Sequence, residues 1–556
     1  MKILLFKNKI NWDAVCEICK VEDTLIVVPD GYIALKKSDS LSKNISATLK
    51  IYEELKIKLW LSFFYTASFE LIDFDKFKIM DAESIKYQEI RLNHDMELLD
   101  KDFNIIDSLD FLKLYYEDAP SDFDFQNIFK VKHSITNGFR FLGLDGEAKN
   151  AENFLSNHVI QRYFLDAKSD VVPGVALEFQ TPLNKELYYG YGRYSDYLTA
   201  KKISQLEAVE RYASQYYAFN NSNMTLFRSF KEVEPSAIDP SVFLLEKNNT
   251  IGNDEKIYWT KAFSFKNKKN ILVPEDLVYF GNQTIRRNYR RKINDSSNGV
   301  SLGGTYTEAM IGSLLELIER HSFLATWYGE IPGKEIKNYF SFLSSYLQES
   351  VMKLKESKVD VKLFEISQIS GVYVVWALIT DERQQATMYS YTAAGANVYL
   401  KQAIESALLE SIVGFSVQTN GHKEMPNFES KVISMEDHLE YYGNKENKHD
   451  FDFTKSFNSQ TFSIIGIKTF DTQEELLYYL IKKIYHNFSD VIFANLSSKE
   501  MESKNLYVTK ALVPGMIPMT FGEDSLRISL EIINNIRKES GLEQISKIRK
   551  LAHPFP

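Results

Sequence analysis

The stretch Asn298–Tyr328, NGVSLGGTYTEAMIGSLLELIERHSFLATWY, constrains the fold more than any other. It opens as a Gly-rich turn (Asn298-Gly299, then Gly303-Gly304) and reads as a long helix from about Thr307. At ~100° per residue, Ile311, Leu314, Leu315, Leu317 and Ile318 fill one apolar arc. Glu308, Gly312, Glu316 and Glu319 fall together on another arc roughly 80° wide. Like charges on one stripe repel, so the arrangement costs stability unless a cation sits there. Gly312 in the middle of the stripe is expected to leave room for a ligand beside the backbone. A lone E-x-x-E, however, is more often a solvated acidic face.

A second copy shifts that balance. In AKKISQLEAVERYASQYY (Ala200–Tyr217), Glu207, Glu210 and Arg211 repeat the E-x-x-E-R of Glu316, Glu319 and Arg320. Two helices that each offer paired hard oxygen ligands suit Mg2+, which is held by a few carboxylates together with phosphate oxygens. About four carboxylates suggest several metal ions carrying a nucleotide's phosphates.

Other chemistries find little support. The histidines form no H-E-x-x-H pair, and there is no G-x-x-x-x-G-K-[ST] loop. A net charge of −9 argues against bulk nucleic-acid binding. No apolar run approaches the ~18 residues of a membrane span, and the start MKILLFKNKINWD lacks the features of a secretory signal. With two cysteines, Cys16 and Cys19, a disulfide framework is excluded, a structural role for both thiols is expected, and so is a cytoplasmic location.

Along the chain, Ile3–Phe6 and Thr24–Pro29 read as strands. Trp12–Lys20 and Ser42–Lys58 read as helices, and the run around Trp60 and Phe63 as core or strand. Residues 94–126 carry ten acidic residues against Lys101 and Lys113, a pattern of a solvated face or of a site for a basic partner. Asn137–Asn150 is the candidate boundary between two domains. Residues 336–357, Ala394–Phe415, Glu474–Tyr485 and Ser525–Glu539 read as helices. Val361–Glu365, Val372–Ile379, Phe462–Phe470 and Val491–Asn495 read as strands, and 420–460 as loop-rich. The basic cluster Arg286, Arg287, Arg290, Arg291 and Lys292 faces phosphate, an acidic peptide or solvent.

These motifs resemble those of the YcaO enzymes, whose ATP site uses two E-x-x-E-R helices, the second led by an N-G-x-S/A-x-G turn. Gly190-Tyr191-Gly192 stands where the family has a G-K-G turn. Ser406 and Glu410 stand on a third helix with polar ATP contacts, Glu436-Asp437-His438 resembles a "DH" segment, and Lys510–Gly515 resembles an R-x-x-x-P-G strand and turn. The ending His553-Pro554-Phe555-Pro556 is similar to the P-x-P tail of the azoline-forming subgroup. The sequence departs from the pattern at Ile203, in place of Ser, at Tyr191, in place of Lys, and at Val413 and Ala552.

The resemblance implies an α/β (α+β) chain: a YcaO-like domain of mixed sheets and long helices over residues 157–556, after a smaller α/β N-terminal domain over residues 1–150. It implies Mg2+ on Glu207, Glu210, Glu316 and Glu319. ATP would be contacted by Ser204, Arg211, Ser301, Glu308, Arg320, Ser406 and Glu410, with Lys168 and Ser169 as weaker candidates and the arginines as phosphate contacts or as partners of the glutamates. It implies a catalytic α-carboxylate at Pro556, on a tail stiffened by its prolines.

The implied reaction is cyclodehydration of a ribosomally made precursor peptide. A Cys thiol, or a Ser or Thr hydroxyl, attacks the preceding carbonyl, and the oxyanion takes the γ-phosphoryl group of ATP. Phosphate then departs with the former amide oxygen. A thioamide- or amidine-forming relative and a non-catalytic peptide-docking subunit are the alternatives. Implied partners are the peptide, a leader-binding protein docked through residues 1–150, a flavin-dependent azoline dehydrogenase and a second copy of the chain.

Overall fold

The computed structural model describes residues 2–6, 24–28, 31–35, 87–92, 98–99 and 105–106 as strands. It also describes 132–555 except 136–138, 141, 166–171, 182–183, 216–225, 245–249, 281–288, 429–430, 464–468 and 550–551. The expected helices at Trp12–Lys20 and Ser42–Lys58, the Trp60 run, most of the acidic stretch, Cys16, Cys19, Lys168, Ser169, Arg286, Arg287 and Pro556 lie outside the described residues.

Near the N-terminus, β1 (Lys2–Phe6), β2 (Thr24–Val28), β3 (Gly31–Leu35), β4 (Tyr87–Leu92), β5 (Leu98–Leu99) and β6 (Ile105–Ile106) form one sheet in the order β3-β2-β1-β4-β5-β6. β1 and β2 run parallel and the other neighbours antiparallel. The strands expected at Ile3 and Thr24 are therefore present.

After helix α1 (Gly143–His158), strands β7 (Ile160–Leu165), β8 (Gly174–Thr181) and β9 (Asn184–Arg193) make an antiparallel sheet. Helix α2 (Tyr197–Gln215) lies on β9 at backbone distance. A Cβ on Gly192 would stand 1.7 Å from the Ala200 carbonyl oxygen, and one on Gly190 2.2 Å from that of Ser204. The glycines thus set the distance between strand and helix. Gly192→Ala is expected to lower the denaturation midpoint by the equivalent of about 3 kcal/mol, the upper range for overpacking; a wild-type midpoint would refute this contact.

The next strands are β10 (Leu226–Ser229), β11 (Lys256–Ser264), β12 (Lys269–Pro274) and β13 (Val300–Gly303). Helix α3 (Tyr306–Gly329) follows β13. Then come β14 (Lys334–Ile336), α4 (Ser345–Glu356), β15 (Val359–Glu365), β16 (Tyr373–Asp381), β17 (Ser390–Asn397), α5 (Leu400–Gly421), α6 (Met435–Gly443) and β18 (Asn458–Gln460). The chain closes with α7 (Gln473–Ile484), β19 (Ile492–Asn495), β20 (Tyr507–Leu512) and α8 (Leu530–Glu539). One sheet runs β10-β11-β19-β20-β13 with β12 on β11, and another runs β17-β16-β15-β14-β18.

Helix α3 is the hub. The Thr305 hydroxyl caps it by accepting from Glu308 N–H (3.0 Å). It packs against β13, β20, β16, β17, α7 and α8, so apolar residues surround it, as befits a central helix. Apart from first-turn Tyr306, the positions of α3 that keep some exposure are Gly312, Glu316 and Arg320, spaced four apart on one stripe.

Some expected boundaries move. Ala394 belongs to β17 and not to the third helix, which begins at Leu400. The small residues of β17 read as helix formers, yet they pair with β16 and let α5 sit close; a Cβ on Gly395 would lie 2.5 Å from the Ala403 carbonyl oxygen. The helix expected over 336–357 is shorter, because Ile336 ends β14 and Tyr339–Phe342 is a 3-10 turn. The last helix begins at Leu530 rather than Ser525, and the described residues 462–463 and 469–470 are not strand. The stretch 420–460 holds α6, because Ser434 and Asp437 form a capping box. The sheets and long helices fit the expected α/β (α+β) class.

Candidate functional site

Two E-x-x-E-R turns meet where α2 faces α3. On α2, Arg211 Nη2 lies 2.9 Å from Glu207 Oε1 and Nη1 3.7 Å from Glu210 Oε1. On α3, Arg320 Nη1 lies 3.1 Å from Glu319 Oε1 and Nη2 3.8 Å from Glu316 Oε1. Glu207 also accepts the Tyr191 N–H (2.9 Å), and the backbone N–H groups of Leu302, Gly299 and Ala396 favour the charged forms of Glu210, Glu316 and Glu319. Gly299 takes φ +78°, in the left-handed region that favours glycine, and this aims its N–H at Glu316. Side chains tied in this way are preorganised rather than free to swing in solvent.

Glu410 from α5 joins them. It acts electrostatically on Glu319, and its Oε1 lies 3.4 Å from Arg193 Nη1. Burial pushes the Glu210 carboxyl up to about 8; Arg211 opposes this, and repulsion from Glu316 and Glu207 adds to it. Burial likewise pushes Glu319 up to about 7 against the pull of Arg320, with Glu410 and Glu316 adding repulsion. Burial also raises Glu316. Five carboxyl groups stand among three guanidinium groups, Arg193, Arg211 and Arg320.

Among the described residues, no three His, Cys, Asp or Glu side chains converge closely enough to enclose a metal ion alone. Mg2+ is held by one or two carboxylates with water and phosphate oxygens completing its shell, so these glutamates would hold it together with a nucleotide. The surroundings fit a polyphosphate as well. Arg193 Nε, a donor, is buried without a hydrogen-bond partner.

The remaining expected site residues are arranged differently. Ser204 is fully buried and donates to its own helix at Lys201 O (2.7 Å). Ser301 fills the space at Gly312, where a Cβ would stand 2.2 Å from its Oγ; the gap expected to admit a ligand is therefore closed. Glu308 is drawn into a separate buried cluster. It accepts from Gly304 N–H (3.3 Å) and Gln473 Nε2 (3.5 Å) and lies 3.7 Å from Arg140, which also pairs with Glu147. Ser406 is exposed on α5.

Two features escaped the sequence reading. Arg193 closes β9 beside the acidic cluster. Lys510 is buried between Asp295 (3.3 Å) and the Ser296 carbonyl (2.9 Å), and its charge acts on Glu316. Arg193 carried no signal beyond its place after Gly190-Tyr191-Gly192, and Lys510 was read only as part of a strand and turn.

The end of the chain enters the core near this site. Trp327 Nε1 donates to Ala552 O (3.0 Å), as does the Tyr442 hydroxyl, and Thr392 Oγ1 donates to Pro554 O (2.9 Å). His438 Nε2 accepts from Gly522 N–H (3.0 Å), so its proton sits on Nδ1, which donates to His553 O (2.8 Å). Asp437, its neighbour in the "DH" pair, caps α6. Phe555 is 1% exposed; its ring packs on Phe323 and lies 4.0 Å from the Arg320 guanidinium carbon.

The sequence model of the family described as "YcaO cyclodehydratase, ATP- and Mg2+-binding" matches residues 191–517. In structure, the chain is similar to YcaO from Methanopyrus kandleri bound with AMPPCP and Mg2+ (TM-score 0.53, 18% identity, 70% of this chain and 95% of that one). It is similar to a heterocyclase in complex with substrate and cofactor (TM-score 0.64, 14% identity, 98% of this chain and 78% of that one). It is also similar to the E. coli microcin synthetase McbBCD complex with pro-MccB17 bound (TM-score 0.50, 16% identity, 72% of this chain and 96% of that one). At these identities the structural likeness concerns the fold. No curated protein matches the sequence significantly. Since the family match spans more than half of the residues and contains both E-x-x-E-R helices, the chain belongs to the YcaO family, with ATP and Mg2+ as its cofactors.

Proposed function

We propose that this protein is an ATP-dependent cyclodehydratase that converts Cys, or Ser or Thr, of a ribosomally made precursor peptide to thiazoline or oxazoline. The observation that supports it best is the gathering of carboxylates from α2, α3 and α5 that act electrostatically on one another, with Glu207 and Glu210 paired to Arg211, Glu316 and Glu319 to Arg320 and Glu410 to Arg193. In this reading Glu207, Glu210, Glu316 and Glu319 hold Mg2+, and Glu410 and Ser406 face the nucleotide. Ser204, Ser301 and Glu308 position the helices around it. Arg211 and Arg320 fix the rotamers of the glutamates.

Bound Mg-ATP supplies a phosphoryl group that turns the amide oxygen, a poor leaving group, into a good one. The side-chain sulfur or oxygen bonds to the preceding carbonyl carbon, and the amide C–O bond breaks. The thiol and amide protons are released, and the products are an azoline, ADP and phosphate. The chain's own part is to orient the peptide and the phosphate and to hold charge in place.

ATP hydrolysis measured with and without a precursor peptide tests this. The expected result is Mg2+-dependent hydrolysis, stimulated by peptide, with one water lost per ring formed. Absence of hydrolysis under both conditions would point to a docking subunit, and a product that requires added sulfide would point to thioamide formation. Residues 1–150 are proposed to dock a partner carrying a leader-binding domain. Their deletion is expected to abolish co-purification with that partner, and retained co-purification would refute the assignment.

A further inference from the structure

Arg193 is the last residue of β9. The glycines before it bring β9 into backbone contact with α2, and this sets the end of the strand against the carboxylate stripe. The Arg193 guanidinium carbon lies 4.8 Å from the Tyr191 ring centroid, so an aromatic face supports the group. Around it stand Glu410, Glu207 and the Tyr391 hydroxyl.

The cations of the cluster are not equally committed. Arg211 is shared by Glu207 and Glu210, and Arg320 by Glu316 and Glu319 over the Phe555 ring. Lys510 is held by Asp295 and Ser296. Arg193 has one carboxylate at ion-pair distance, Glu410 at 3.4 Å, longer than the ~2.7–2.9 Å of a strong charge-assisted bond. Glu207 is already occupied by Arg211 and by the Tyr191 N–H, each at 2.9 Å. Arg193 Nε is buried and has no partner at all. A buried donor left unpaired is destabilising, and such atoms gather where a ligand completes the bonding.

We propose that Arg193 binds phosphate oxygens of the nucleotide, its planar fork supplying donors that the carboxylate cluster cannot. The inference rests on the reading above that ATP binds at this cluster. A guanidinium stacked on an aromatic ring is preorganised for bidentate phosphate contact, which a Lys ammonium would provide only as a point charge.

The test is calorimetric titration of ATP, with saturating Mg2+, into wild type, Arg193→Met, Arg193→Lys, Glu319→Gln, Glu410→Gln and the double variant Arg193→Met/Glu410→Gln. Circular dichroism and a melting curve confirm folding of each. Arg193→Met is expected to weaken ATP binding by about 10- to 100-fold, the range for hydrogen bonds to a charged group, with Arg193→Lys intermediate. The double variant separates contact from charge balance. Glu410→Gln alone is its reference. If Arg193 touches phosphate, the double variant binds ATP more weakly than Glu410→Gln; if Arg193 only neutralises Glu410, the two bind equally and the proposal fails. Undiminished binding in Arg193→Met, with binding lost in Glu319→Gln, overturns this inference alone. A wild type that binds no ATP overturns the site reading and this inference with it.

Discussion

Glu319→Gln is expected to lower ATP turnover by about 10²- to 10³-fold, the usual loss when one preorganised electrostatic group is removed from a reacting site. The substitution keeps the shape of the side chain and the acceptor that faces Ala396 N–H. It should not unfold the protein. Burial raises the Glu319 carboxyl to about 7 and that of Glu210 to about 8, so the folded state disfavours their ionised forms. Between about pH 4.5 and 8 the folded state then binds protons that the unfolded state has released. Stability in the absence of Mg2+ and nucleotide must therefore fall as pH rises through this window. Glu210→Gln and Glu319→Gln remove that penalty. At pH 8 without Mg2+ each variant is expected to melt at or above the wild-type temperature while its turnover collapses. A variant that melts well below wild type would make the glutamates structural, and full turnover would remove them from the site.

Phe555→Ala is expected to cost about 3–5 kcal/mol in chemical denaturation, the range for emptying a fully buried aromatic site. Its ring fills a space beside Phe323 and covers the Arg320 guanidinium, the group that ties Glu316 to Glu319. Turnover should fall as well, because Arg320 loses one wall of its seat. Phe555→Leu should recover most of the stability and less of the turnover, since an aliphatic side chain packs but offers no π face. Thr392→Val is the contrasting control. It removes one hydrogen bond, to Pro554 O, and should cost only about 1 kcal/mol. Wild-type stability in Phe555→Ala would show that the tail is not packed as described.

How much of this was legible in the sequence depended on range. The paired E-x-x-E-R turns could be read because their geometry is set within one helix, where positions three and four apart share a face. Glu410 was found through its place in a family pattern and is brought to Glu319 by the packing of α5 on β17. Arg193 could not be found this way, since its role depends on how β9, α2 and α5 come together. The Glu308 stripe was read correctly as a helical face, but Arg140 and Gln473, distant in sequence, draw Glu308 away from it. Gly312 was misread for a similar reason: the residue that fills its gap, Ser301, comes from a neighbouring strand. Ala394–Asn397 reads as the start of the Ala394–Phe415 helix, but its pairing with β16 makes it strand.

The most direct test of the central claim is titration of a non-hydrolysable ATP analogue into wild type and Glu210→Gln/Glu316→Gln, with Mg2+ and with EDTA in its place. The two carboxylates come one from each helix, and the charge of Glu316 acts on Glu210. The expected result is tight binding to wild type that disappears with EDTA, and loss of binding in the double variant at an unchanged or higher melting temperature. Mg2+-dependent binding at wild-type affinity in the double variant would contradict the assignment of these helices as the Mg-ATP site.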